Sequence, residues 1–181
     1  MREIPAFTIR FKGVAVTVFC VLLFLAPARI QAWDVGVINS WVNNDSGGGW
    51  DYGAKIMVRH ELCPYFDIGG RVGFMRSESL KTDYVPLTGT AAIKYPFFEG
   101  RFVPFFGAQF GYHFYTDPNS YKNSQELTPN IGFDWRFGKR KEWSIYCEAV
   151  YTWAHVHNAD NIHIEQLTNG AGGSVGISYR F

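Results

Sequence analysis

Long apolar runs are scarce in this 181-residue chain, and their scarcity excludes a helical membrane protein. Beyond Ala26 no stretch reaches the roughly 20 apolar residues that a membrane-spanning helix needs. Cysteine is scarce too. Of the 3 cysteines, Cys20, Cys63 and Cys147, two lie beyond residue 32, which is not the density of a disulfide-stapled secreted domain. Charge of one sign is lacking: the formal net charge is +1, so nothing marks a nucleic-acid partner. The chain also lacks helical periodicity, a linker, a low-complexity tract and a second domain. Asn43 to Gly49 is glycine-rich, but no helix follows it to complete a phosphate-binding fingerprint.

What is present begins with a leader. Arg2, Arg10 and Lys12 precede an uncharged apolar run from Val14 to Ala26, and small residues then allow cleavage after Ala28 or Ala32. This is the pattern of a removable signal peptide, and Cys20 has a poor lipoprotein context. The expected organisation is a cleaved segment, 1–32, and one domain, 33–181.

From Trp33 onward the residues alternate. Runs with one apolar face cover about Trp33–Val42, Trp50–Glu61, Tyr65–Ser77, Tyr84–Tyr95, Arg101–Thr116, Leu127–Phe137, Trp143–His155 and Gly170–Phe181. A period of two is that of a β-strand with different environments on its two sides. Eight such strands suit a small transmembrane barrel, whose strands need about 9–11 residues. The connections after the second, fourth and sixth runs are expected to be short. Longer polar ones are expected after the first, third, fifth and seventh, which assigns both termini to the periplasm.

The two faces differ. Aromatic content is 18%, and Trp33, Trp50, Trp135, Trp143, Tyr151 and Trp153 fall near run ends, where membrane girdles occur. The other face carries Asp34, Asp51, Lys55, Arg59, Asp67, Arg71, Lys94, Gln109, His113, Asp134, Arg136, Glu148 and Arg180. Charge cannot face hydrocarbon, so these side chains are expected inside, paired with one another. A sharper reading makes Asp134 and Glu148 a catalytic carboxylate pair, or the interior an ion path. Against it, an interior of eight strands is only wide enough for its own side chains. A soluble lipocalin-like barrel is the alternative architecture, with the apolar face inside.

The final run, Ser174 to Phe181, places Val175, Ile177, Tyr179 and Phe181 on one face. An ending of this kind resembles the C-terminal signal of bacterial outer-membrane barrels. The resemblance implies that the assembly machinery reads Phe181 and that the last strand pairs with the first. A soluble edge strand ending in Phe is the plainer alternative. Val85 to Leu87, Ala92 to Tyr95 and Val103 to Tyr112 likewise resemble a central hairpin of the small outer-membrane β-barrel families, OmpX-like and OmpA-transmembrane-like. The fold class implied is all-β, an eight-stranded antiparallel up-and-down transmembrane barrel in the outer membrane. Its partners would be outer-membrane lipid and lipopolysaccharide.

A narrower likeness lies in His155-Val156-His157-Asn158-Ala159, which resembles the His-x-Ser-Asn-Ala stretch of the lipid A 3-O-deacylase family. His155 matches that family's His, but His157 stands in place of its nucleophilic Ser. Its Glu falls near Gly172, with Glu165 nearby in the same expected loop. The triad His155, His157 and Glu165 is therefore incomplete as a nucleophile–base–acid set. His155, His157 and His163, with Asp160 and Glu165, also have the chemistry of a Zn²⁺ or Cu²⁺ site. The plainer reading is a polar loop tip. The reading adopted is a monomeric barrel with a structural or surface-interaction role, no open pore, no cofactor, no metal and no catalytic residue. Cys63 is expected in a periplasmic turn between the second and third runs and Cys147 on the seventh; these runs are not neighbours, so the two are too far apart to bridge.

Overall fold

The structure is a computed structural model, described here for residues 32–45, 48–116, 124–157 and 165–181. The expected signal peptide lies outside the described residues, apart from Ala32. Among the described residues the chain forms eight strands. They are β1 (Ala32–Asn44), β2 (Gly49–Cys63), β3 (Phe66–Ser77), β4 (Thr82–Lys94), β5 (Phe102–Tyr115), β6 (Ser124–Phe137), β7 (Trp143–His157) and β8 (Glu165–Arg180). Each pairs antiparallel with its sequence neighbours, and β8 closes on β1. The Phe181 N–H donates to the Trp33 carbonyl at 2.9 Å, which ties the last residue into the seam. Closure removes the unpaired edges that an open sheet would present to lipid.

Following paired positions round the sheet gives the slope of the strands. Asp34 leads through Arg59, Gly69, Thr90, Gln109, Thr128, Thr152 and Gly170 to Asn44, so one circuit climbs from position 34 to position 44 of β1. Strand number and this stagger together set barrel width and tilt. The ladder is interrupted at Pro129, which has no N–H to donate. There the side chains take over: the Thr128 hydroxyl donates to Thr152 Oγ1 at 3.1 Å.

The alternation has the membrane sense. The buried set is dominated by Asp, Glu, Arg, Lys, Ser, Thr and Asn, and the exposed set by Trp, Phe, Tyr, Ile, Leu and Val. This overturns the lipocalin alternative, in which the apolar face would be inside. All 6 tryptophans face outward. Trp33, Trp135 and Trp143 lie at one end of the barrel, and Trp41, Trp50 and Trp153 toward the other.

The strands run further than the alternation alone suggests at the end away from the termini. β6 starts at Ser124, β7 continues to His157, and β8 begins at Glu165. The expected length contrast between connections is therefore corrected. The β3–β4 connection is only the turn 78–81, shorter than the β4–β5 connection 95–101 at the opposite end. The neighbouring strand residues, Arg76, Ser77, Thr82 and Asp83, are polar enough to read as loop, yet they continue the ladder, and the Glu78 N–H adds a bond to the Trp50 carbonyl at 3.0 Å. The β4–β5 connection holds a 3₁₀ turn, Phe98–Gly100, with left-handed backbone at Phe98, Glu99 and Gly100. At the start of the β6–β7 turn, Gly138 has φ of 92°, a left-handed conformation that favours glycine. A Cβ there would lie 2.6 Å from the Glu142 carboxylate.

Candidate functional site

The charged residues of the inward face meet in layers along the lumen. At the terminal end, Glu61 is a hub. It accepts from Lys94 Nζ at 2.6 Å and pairs with Arg180 at 2.8 Å, while Arg136 lies at 3.6 Å. Lys94 also reaches Asp67 at 3.3 Å. Beside this hub Arg59 donates to both oxygens of Asp134, at 2.9 and 3.0 Å, and to Asp34 at 3.3 Å. A bidentate guanidinium–carboxylate pair is among the strongest polar contacts available.

The middle layer is centred on Glu148. Arg71 donates to its two oxygens at 2.5 and 3.1 Å, the Tyr146 hydroxyl at 2.5 Å, and Asn130 Nδ2 at 2.7 Å. Tyr146 stacks on Phe105, and the guanidinium groups of Arg59 and Arg71 lie over the same ring at 5.1 and 5.4 Å. Ile38 and Met57, both fully buried, complete a plug across the lumen. Gly132 makes room for it: a Cβ on Gly132 would sit 2.6 Å from Phe105 Cζ.

Above the plug lies a chamber of about 30 Å³, lined among others by Asp51, Lys55, Tyr84, His113, Glu126 and Thr128. That is room for about two water molecules. His113 Nε2 and Glu126 Oε2 are 2.8 Å apart, and the Tyr84 hydroxyl donates to Asp51 at 3.2 Å. Over the chamber, Leu80 folds in from the β3–β4 turn and clusters with Met75, Tyr84 and Tyr115. Among the described residues the lumen thus alternates ion-paired and apolar layers.

All thirteen polar residues expected inside lie on the inward face of the strands. Asp134 and Glu148 do not meet as a pair: Arg59 holds Asp134 and Arg71 holds Glu148, in separate layers. Two inward acids escape the sequence reading. Glu61 lies at the end of its run, and Glu126 one position before the expected start of β6, although both fit the inward parity. The plug residues Phe105 and Tyr146 escape it as well, because their aromatic character suggests the lipid face while their parity places them inside.

The histidine stretch falls at the far end of β7 and β8. There the backbone register sets His157 opposite Glu165 and His155 opposite Leu167. Glu165 therefore opens β8 and is not a loop residue. His163 and Asp160 lie outside the described residues. Cys63 and Cys147 are both free.

No family model and no curated protein matches this chain. Solved structures do. Neisserial surface protein A, NspA, is 11% identical with a TM-score of 0.50, covering 83% of this chain and 95% of that one. OprG from Pseudomonas aeruginosa is 12% identical with a TM-score of 0.49, covering 83% and 95%. Ail, the attachment invasion locus protein of Yersinia pestis, is 18% identical with a TM-score of 0.47, covering 83% and 97%. The likeness is one of fold. With a closed sheet, a charged inside and an apolar outside, the chain has the fold and the two-faced wall of a small outer-membrane β-barrel.

Proposed function

We propose that this outer-membrane barrel acts at its ends and surface, as a structural element of the membrane or as an adhesive or partner-binding protein, and not as a pore. The filled lumen carries this reading. A barrel whose interior is closed by Phe105, Tyr146, Ile38 and Met57 between ion-paired layers has its accessible chemistry on its rims, its loops and its lipid-facing wall. The orientation that goes with it puts both termini in the periplasm. The leader, 1–32, is removed on export. Phe181 presents the closing strand to the assembly machinery, and the finished barrel stands as a monomer among lipid and lipopolysaccharide.

Cells lacking the protein, complemented with full-length protein or with a variant whose 117–123 and 158–164 connections are replaced by short Gly-Ser turns, test this. The expected result is altered permeability to a hydrophobic dye, or altered surface attachment, restored by full-length protein and not by the trimmed variant. Unchanged behaviour in all strains, or steady ion conductance by the purified protein in planar bilayers, overturns it.

Deacylation of lipid A is the second reading, supported by the register that brings His157 and Glu165 opposite one another. It requires His157 to do the work of a serine nucleophile. Mass spectrometry of lipid A from cells with and without the protein decides it: loss of one 3-linked acyl chain would establish the enzyme.

A further inference from the structure

Two features of the lipid-facing wall fall on the same strands. The first is a groove of about 400 Å³ on β5, β6 and β7, edged by Phe102, Pro104, Ile131 and Phe133 and floored by Cys147 and Ala149. Phe102 and Phe133, with ring centroids 5.4 Å apart, form its wall nearest the terminal end. The second feature lies just beyond that end. Arg101 is exposed just before β5, and Lys139 and Arg140 are exposed on the β6–β7 turn. Lys141 Nζ donates to the Glu99 carbonyl, which binds the two turns into one basic rim. Two acids share the rim, Glu142, whose carboxylate accepts the Arg140 N–H at 2.8 Å and packs against Gly138, and the exposed Glu99; with Lys141 the four cations still outnumber them.

We propose that this face binds one anionic glycerophospholipid, its acyl chain in the groove and its phosphate among Arg101, Lys139 and Arg140. The spacing suits a lipid held end-on: Arg101 and Pro104 are three residues apart, about 10 Å along a strand. Hydrocarbon fills an apolar groove at membrane depth, and exposed cations beside it favour an anionic headgroup over a zwitterionic one. The choice of a glycerophospholipid over lipid A rests on the orientation given above, in which this rim meets the periplasmic leaflet.

Native mass spectrometry of the full chain in detergent, mixed with equal amounts of phosphatidylglycerol and phosphatidylethanolamine, tests the site. Phosphatidylglycerol adducts should dominate, and R101Q/K139Q/R140Q should lower their retention at least about tenfold. A149W, which fills the groove from the lipid side, should reduce retention of both lipids, while K81Q at the opposite rim should change neither. Heat-modifiable migration confirms that each variant is folded. Equal retention of the two lipids, or retention unaffected by both the rim and groove variants, overturns the proposal. A further arm offers lipid A: preference for lipid A through the same three cations overturns the proposal and reverses the orientation. Loss of all preference overturns the proposal and leaves the surface-acting reading intact.

Discussion

The rings of Phe105 and Tyr146, from β5 and β7, stack over the intervening β6 with centroids 5.3 Å apart and planes 14° from parallel. They are the main apolar obstruction between the Glu61 hub and the outer chamber. The double variant F105A/Y146A should open that obstruction. Wild-type protein is expected to give a silent planar bilayer, and the variant discrete conductance steps. Conductance by the wild type at the same level would show that the layers leak.

Arg71 and Glu148 are buried and meet at 2.5 Å, with side chains 3% and 0% exposed. Removing one partner strands a buried charge and should cost about 3–5 kcal/mol. Replacing both by apolar groups, as in R71M/E148L, should cost less than the two single changes added. Urea unfolding in micelles, read by tryptophan fluorescence through a double-mutant cycle, measures the coupling. Additive costs would mean that the pair does not interact.

Cys147 pairs in register with Phe133 on the lipid-facing parity of β7. It should react with a membrane-soluble maleimide in intact vesicles and resist a charged, water-soluble one. In denatured, unreduced protein taken from membranes, thiol titration should give two groups. A third would mean that Cys20, and the leader around it, is retained.

Ile131 is 62% exposed in the middle of the apolar wall. I131K should destabilise the inserted barrel by about 2–4 kcal/mol, the cost of a lysine at mid-depth on the lipid face. Its neighbour in the chain, Asn130, faces inward, and N130K should instead act by crowding Arg71 near Glu148. If the two lysines shift the unfolding midpoint equally with lipids of different thickness, the assignment of faces fails.

The alternation of β2, with Trp50, Tyr52, Ile56 and Val58 against Asp51, Lys55 and Arg59, is enough to read both a strand and its two environments. The same parity places all thirteen polar residues expected inside. What parity does not carry is depth. Glu61 and Glu126 sit where an alternating run meets polar residues, and only ladder pairing shows that the strand continues past them. Nor does residue type distinguish an aromatic that fills a lumen from one that faces lipid; only parity does. Tyr146 follows Ile145 in sequence, and the pair points opposite ways. The partners across the barrel, such as Arg59 with Asp134 or Arg71 with Glu148, are 75 and 77 residues apart in sequence. They become neighbours only once the stagger is fixed, so the sequence supplies the ions without saying which pairs they form.

The stagger of the circuit makes the seam between β1 and β8 discrete. A slip of one residue would turn Ser174, Ser178 and Arg180 toward hydrocarbon and bring Val175 and Ile177 into the ionic interior, so neighbouring registers of odd offset are forbidden. A slip of two keeps the faces but alters the width of the lumen. Phe105 over Tyr146, seated against Gly132, fits one width. A barrel closed at another circumference would not seat the two rings against Gly132 as they are seated here.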